Sequence, residues 1–218
     1  MTARPDGVRV LVVFHSWTAN TLDLASAIGR GAARVPGSIV EVKRVPELRD
    51  EQELVAHEHI GRKFTAIQPF PIATPDDVVE ADVVFFGSPT RLGSMTAEMK
   101  SFIDRLGPNW QKGLLKDKVG AAFATASTPH GGQEITLMGL LATLMHFGMI
   151  IVTPGFTAPI FDIAGAAYGA AATTKPGRVR TPPNADEIEA AETLGERATR
   201  IGRWVQRGRI EGEEKNDA

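Results

Sequence analysis

The segment Ser16-Trp17-Thr18-Ala19-Asn20-Thr21 concentrates hydroxyls, an amide and an indole between an apolar run and a helix-like stretch, and it contains no Lys or Arg. A polar loop in that place gathers hydroxyl donors, backbone N–H groups and the positive end of a helix dipole, a seat for an anion such as a phosphate monoester. The chain has no G-x-x-x-x-G-K-S/T, which would bring the lysine and Mg2+ handling of a nucleotide hydrolase, and no G-x-G-x-x-G for a Rossmann pyrophosphate. The same residues describe equally well an N-cap loop whose Ser and Thr only satisfy the helix's own unpaired donors. Two more polar loops stand out, Ser88-Pro89-Thr90-Arg91-Leu92-Gly93-Ser94 and Thr125-Ala126-Ser127-Thr128-Pro129-His130-Gly131. The former joins a proline and a glycine to one arginine, a turn whose backbone N–H groups could approach a flat heterocycle closely.

Those loops need elements to carry them. Val8 to Phe14 is a nearly continuous apolar run rich in β-branched residues, the mark of a strand covered on both faces in a parallel sheet. Thr21 to Ala33 sets Leu22, Ala25, Ile28 and Gly29 on one helical face and stops at Pro36-Gly37. The pattern recurs with strands at Ser38 to Arg44, Val83 to Gly87, Val119 to Thr125 and Ile150 to Thr153, and helices at Thr96 to Leu106, Ile135 to Phe147 and Ala185 to Arg207. Such alternation predicts a doubly wound α/β fold of about five parallel strands with helices on both faces. Ligands of that fold bind outside the carboxyl ends of the strands, so the three polar loops should meet. Two connections are long, Val45 to Thr74 and Pro154 to Asn184; the second is rich in Gly, Ala, Thr and Pro and is expected to fold over something without forming an element of its own. One domain over 1–210 and a charged, frayed tail at 211–218 complete the expected organisation.

Bulk properties remove other classes. Hydrophobic residues are 43% and charged residues 23% of the 218, typical of a globular chain with a packed core. A net charge of -2 gives no general attraction to nucleic acid or anionic lipid, so no direct nucleic-acid binding is expected. With no cysteine there is no disulfide frame, thiolate metal site or cysteine nucleophile. No apolar leader is visible, and Ile135 to Val152, though uncharged, is broken by Gly139, His146, Gly148 and Pro154; a cytoplasmic protein without membrane insertion is expected. His57 and His59 offer too few ligands for zinc, and no metal is expected.

The first loop resembles the flavodoxin phosphate loop, and Ser88-Pro89-Thr90-Arg91-Leu92-Gly93-Ser94-Met95 resembles a signature of the WrbA family of tetrameric, FMN-dependent NAD(P)H:quinone oxidoreductases (type IV). Lys43-Arg44-Val45-Pro46-Glu47, Gly131-Gly132-Gln133-Glu134 and His146-Phe147-Gly148-Met149 extend the likeness, in order, over Val8 to Ala172. The resemblance implies a flavodoxin-like sheet in the order 2-1-3-4-5, FMN as cofactor, NADH or NADPH as co-substrate, a quinone as acceptor, and a homotetramer built as a dimer of dimers. It implies that Ser16, Trp17, Thr18, Ala19, Asn20 and Thr21 hold the FMN phosphate. Thr90, Arg91 and Leu92, in one turn with Pro89 and Gly93, would line the isoalloxazine, and Thr125 through Gly131 its other side. Two departures bear on these contacts. Ala19 stands where the family commonly has Gly, and Ala tolerates most conformations except positive φ; Ser127-Thr128-Pro129-His130 replaces a Gly-rich stretch and carries one extra residue.

A lone histidine such as His146, at the end of an apolar helix, is more often a core residue or a partner of the helix dipole than a catalyst. The resemblance puts it beside the flavin, where it could hydrogen-bond a quinone oxygen as the catalytic donor or bind the FMN itself, and puts Trp110 over the ring from a neighbouring subunit; the pair is expected to form part of the quinone pocket, though Trp110 could equally anchor its own loop. The expected reaction is ping-pong, nicotinamide to FMN to quinone. A flavodoxin-type electron carrier and a non-enzymatic regulatory partner, such as a protein binding the tryptophan repressor, share the fold; the near-neutral charge disfavours the carrier, which docks through an acidic face.

Overall fold

The computed structural model describes residues 7–155, 166–175 and 181–216. Its centre is β1 (Val8–Phe14), flanked on one side by β2 (Ser38–Arg44) and on the other by β3 (Val83–Pro89), then β4 (Val119–Ala126), all parallel. The far edge of β4 is shared end to end by β5 (Ile150–Ile151), against Val119 and Gly120, and β6 (Ala170–Thr173), against Phe123 to Ala126. The order β2-β1-β3-β4-β5 is the one expected, with β6 as an addition. The connection after Pro154 therefore does form an element. Ala170 to Thr173 has none of the β-branched or aromatic residues that mark strands before its last position, and it is held by backbone pairing along a fully buried neighbour.

Both faces are covered. Val8, Val10, Val12 and Phe14 pack with Leu24 and Ile28 of α1 (Asn20–Ala33) and with Ala191, Leu194 and Ala198 of the closing helix. That helix runs from Ala185 to Asn216, well beyond the expected end at Arg207, and is labelled α8 below. On the opposite face Leu11, Val13, Val84 and Phe86 meet Val78 of α4 (Pro75–Glu80), Met99 and Phe102 of α5 (Ala97–Asp104) and Leu137, Leu140 and Leu144 of α7 (Gln133–His146). The alternation of β1 between two cores explains its unbroken apolarity. The long connection after β2 contains two short helices, α2 (Glu51–Ala56) and α3 (Gly61–Phe64), whose Leu54 and Phe64 join the first core together with Ile67 just beyond α3. A further short turn of helix, α6 (Gly107–Gln111), follows α5. Among the described residues no helix is long and apolar enough to cross a membrane.

Candidate active site

The first polar loop turns from β1 into α1 through Ala19, which adopts φ 63° and ψ 1°. The left-handed conformation that Ala disfavours is the one used, because the chain must reverse within a few residues to start a helix whose amino end faces the strand tips. The N-cap residue Ala19 offers no side-chain cap, and the amino end of α1, whose first N–H groups lie beyond the reach of the helix's own carbonyls, adjoins the loop. From below, the Thr21 hydroxyl meets the Thr125 hydroxyl at 3.0 Å, which ties the start of α1 to the end of β4.

The second loop closes on itself. Arg91 N–H donates to the Ser94 carbonyl at 2.7 Å and Ser94 N–H returns to the Arg91 carbonyl at 3.0 Å, with Leu92 at φ 51° and Gly93 at φ 78° between them. Two consecutive positive φ values define a type I′ turn, and Leu92 at its tip is fully exposed. Thr90 N–H donates to the Thr125 carbonyl at 2.8 Å. The N–H groups of Thr90 and Arg91 are thus spent on fixing the loop, and these two residues meet the cavity in other ways. The Thr90 hydroxyl also bonds the Gly132 carbonyl and the Thr136 hydroxyl, joining this loop to the root of α7. Gly132 sits at φ 99°, and a Cβ there would stand 3.3 Å from the Thr90 Oγ1, so both conformation and space call for glycine.

The third loop is stapled from behind by Gln133, whose amide donates to the Thr128 carbonyl at 3.0 Å and the Thr173 hydroxyl at 3.2 Å. Thr174 N–H donates to the Ala126 carbonyl at 2.7 Å. The three loops enclose a cavity of about 270 Å3 outside the carboxyl ends of β1, β3 and β4. Trp17, Thr18 and Asn20 line it from the first loop, Pro89, Thr90 and Arg91 from the second, and Thr125, Ala126, Ser127, Thr128 and Gly131 from the third. Ser16 is buried beneath the first loop, and Ala19 and Thr21 shape it without facing the cavity. Pro129 and His130 line an adjacent cavity of about 200 Å3 together with Gln133 and Glu187. Leu92 and Gly93 belong to the exposed turn and do not line the cavity within this chain.

Two groups escaped sequence reasoning. Thr174, at the end of the unexpected β6, lines the cavity. Behind Trp17, the Glu47 carboxylate accepts the indole N–H at 2.9 Å and lies 3.4 Å from His15 Nε2, which is itself 3.8 Å from Glu98. These three side chains are almost wholly buried, and their ligand-type atoms lie within 4.8 Å of one another. They come from the ends of β1 and β2 and from the first turn of α5, separations no local pattern reveals. Glu47 was visible only as part of the Lys43 to Glu47 motif, without a role. Its role is to fix the tilt of Trp17, whose face carries the guanidinium groups of Arg91 and Arg49 at 5.6 and 5.8 Å from the ring centre.

Comparison with known proteins shows where this site belongs. Residues 8–161 match the model of the NADPH-dependent FMN reductase family. The chain belongs to that family. Relatives named NAD(P)H dehydrogenase (quinone) include one from Archaeoglobus fulgidus, 39% identical over 193 residues, covering 88% of this chain and 96% of the relative. Another, from Aromatoleum aromaticum, is 37% identical over 209 residues, covering 93% and 99%. Among solved structures, a flavodoxin, WrbA-like protein from Agrobacterium tumefaciens superposes with a TM-score of 0.61 at 19% identity over 91% of this chain and 99% of its own, a likeness of fold.

For a member of the FMN reductase family, the cavity fits a flavin mononucleotide. An uncapped helix start with neutral hydroxyl and amide donors suits the phosphate, and a narrow slot between two braced loops suits a planar ring. Trp110 and His146 stand apart from it. Their rings stack with centroids 5.0 Å apart, and the indole N–H donates to the His146 carbonyl at 3.1 Å. Gln133, which braces the third loop from behind, opens α7 while His146 closes it, so thirteen steps of 1.5 Å put His146 roughly 20 Å along the helix from Gln133, at the end away from the cavity.

Proposed function

We propose that this family member is an FMN-dependent NAD(P)H:quinone oxidoreductase acting in the cytoplasm as a homotetramer. The observation that carries the reading is the cavity of braced loops outside the strand tips, with a phosphate seat free of Lys and Arg; relatives named NAD(P)H dehydrogenase (quinone), at 37–39% identity over nearly their full lengths, support the activity. When bound, FMN would supply two-electron redox chemistry between the nicotinamide nucleotide and a quinone, the two substrates using the same open side of the cavity in turn. The chain's own residues bind and orient. Ser16 to Thr21 hold the phosphate through the α1 amino end, while Thr90, Arg91 and the Ser127 and Thr128 side of the cavity frame the ring. The Trp17 indole, fixed by Glu47, forms a wall that excludes water.

Trp110 and His146 serve the cavity of a neighbouring copy in this proposal, because their own is out of reach. An aromatic wall and a donor positioned for a quinone oxygen are what the open side of such a cavity lacks. Exposed Ile135, Met138 and Met145 on α7, with Leu92, Trp110 and Ile150, provide the apolar surface on which copies would meet. The decisive experiment measures steady-state oxidation of NADH and NADPH with benzoquinone by the yellow holoprotein and by apoprotein reconstituted with FMN or riboflavin. Quinone-dependent turnover that needs FMN is the expected result. A flavin-loaded protein that oxidises neither nucleotide would overturn the reading in favour of an electron carrier.

A further inference from the structure

We propose that Arg49 and Arg91, stacked on Trp17 beside the flavin cavity, bind the 2′-phosphate of the nicotinamide nucleotide and make the 2′-phosphorylated form the preferred reductant. The inference deepens the oxidoreductase reading and rests on it. Neither guanidinium is needed for the cofactor phosphate, whose seat is built from neutral donors at the start of α1. Among the described residues neither forms an ion pair, whereas Arg9, Arg30, Arg34, Arg44 and Arg200 each face a carboxylate. The acidic side chains near Arg49 in sequence are already engaged. Glu47 accepts from Trp17, Asp50 caps α2 by accepting the Gln52 N–H at 2.7 Å, and Glu51 takes Arg44 at 2.6 Å.

Two cations thus stand exposed at the edge of a cavity with their nearest acids turned elsewhere. The guanidinium carbons lie over the indole at 5.8 Å for Arg49 and 5.6 Å for Arg91, and apart from one Arg91 N–H that donates to the Thr90 carbonyl at 3.3 Å their forks are left for an anion. The platform beneath is rigid, since the indole N–H is held by a buried carboxylate. A phosphate monoester, carrying close to two charges and three acceptor oxygens, is the group that such a paired fork recognises best. Of the nicotinamide nucleotides only the 2′-phosphorylated one has such a group, and an arginine near the ribose is the general means of accepting it.

The test is calorimetric titration of FMN-loaded protein with NADP+ and with NAD+, which needs no turnover and so stands even if quinone reduction fails. The intact protein should bind NADP+ roughly 10-fold or more tighter than NAD+, and Arg49→Ala should lose about 10- to 100-fold for NADP+, the range for one charge-assisted bond. NAD+ binding should change by less than about 2-fold, and Arg49→Glu should reverse the preference. Equal losses for both nucleotides would assign the arginines to the shared pyrophosphate and overturn the proposal. So would unchanged binding of both, or weakened FMN retention in Arg49→Ala, measured by flavin fluorescence.

Discussion

Ala19→Gly tests the geometry of the phosphate loop directly. An L-residue in the left-handed region pays roughly 1–2 kcal/mol, and Ala19 at φ 63° is in that region with no side-chain hydrogen bond to compensate. Glycine removes the strain but frees the unfolded chain, which returns about 0.4–1 kcal/mol, and the loss of a half-buried methyl returns a few tenths more. The net gain is about 0.5 kcal/mol, or a rise of about 1–2 °C in melting temperature for a domain of this size. Thermal unfolding followed by circular dichroism on apoprotein, at fixed protein concentration, measures it without the stabilisation that bound ligand adds. Ala27→Gly is the control. Ala27 is fully buried in the middle of α1, where glycine costs roughly 1 kcal/mol in helix propensity alone, so its melting point should fall. If Ala19→Gly also falls, Ala19 is not left-handed in solution and the strained turn that aims α1 at the cavity does not exist.

The remaining predictions concern ligand, pH and subunit contacts. Thr18→Ala combined with Asn20→Ala, both cavity-lining residues, should weaken FMN about 10-fold or more while riboflavin changes little; equal losses would remove the phosphate from this loop. Burial opposes charge on both Lys43 and Asp77, yet their 2.7 Å bond, with the Thr74 donors on Asp77, lowers the carboxylate and raises the ammonium from their usual values. The stabilisation is therefore present between the ordinary carboxylate and ammonium ranges, fades as pH falls through the lowered Asp77 value, and fades again as it rises through the raised Lys43 value. Asp77→Asn should cost about 1–2 kcal/mol at neutral pH in urea melts, with the gap to the parent closing in acid; a pH-independent gap would refute the pairing. His146→Ala should lower quinone turnover by about 10- to 100-fold and Trp110→Ala should mainly raise the quinone KM, with FMN affinity little changed in either; normal kinetics with a dissociated tetramer would instead make the pair purely structural.

Much of the fold was legible because parallel, doubly covered strands leave unbroken apolar runs, as in Val8 to Phe14 and Val119 to Thr125. Where the signal fails, packing outweighs propensity. Ala170 to Ala172 lies in a connection expected to fold over something without forming an element, and it becomes a strand because β4 offers an open, buried edge above the two residues of β5. The cavity-lining loops were visible through their polarity between apolar elements. Thr174 and Glu98 were not, and His15 and Glu47 stood only at the start of a polar loop and the end of a motif, without roles, since the contacts that join these residues come from separate elements. Trp110 and His146 could be named from resemblance, but their separation from the cavity follows only from the length of α7 and its orientation along β4.

The two proposed anion seats differ in a way that matches what each ligand must do. A cofactor that stays through many turnovers is best held by neutral donors on an element whose backbone is fixed, because such bonds depend little on salt and need no long side chain to be ordered. The α1 start, tied to β4 through Thr21 and Thr125, is built that way. A nucleotide that must arrive, react and leave gains from exposed charge, which speeds encounter and is screened by salt, so its affinity should fall with ionic strength while FMN retention does not. Arg49 and Arg91 are exposed, and the indole they stack on is shared with the cavity wall. Trp17 therefore joins the two functions: its N–H is held by the buried Glu47, one part of its surface meets the cavity and another carries the cations. Loss of the Glu47 bond would loosen both seats at once, which sets this carboxylate apart from the surface acids around it.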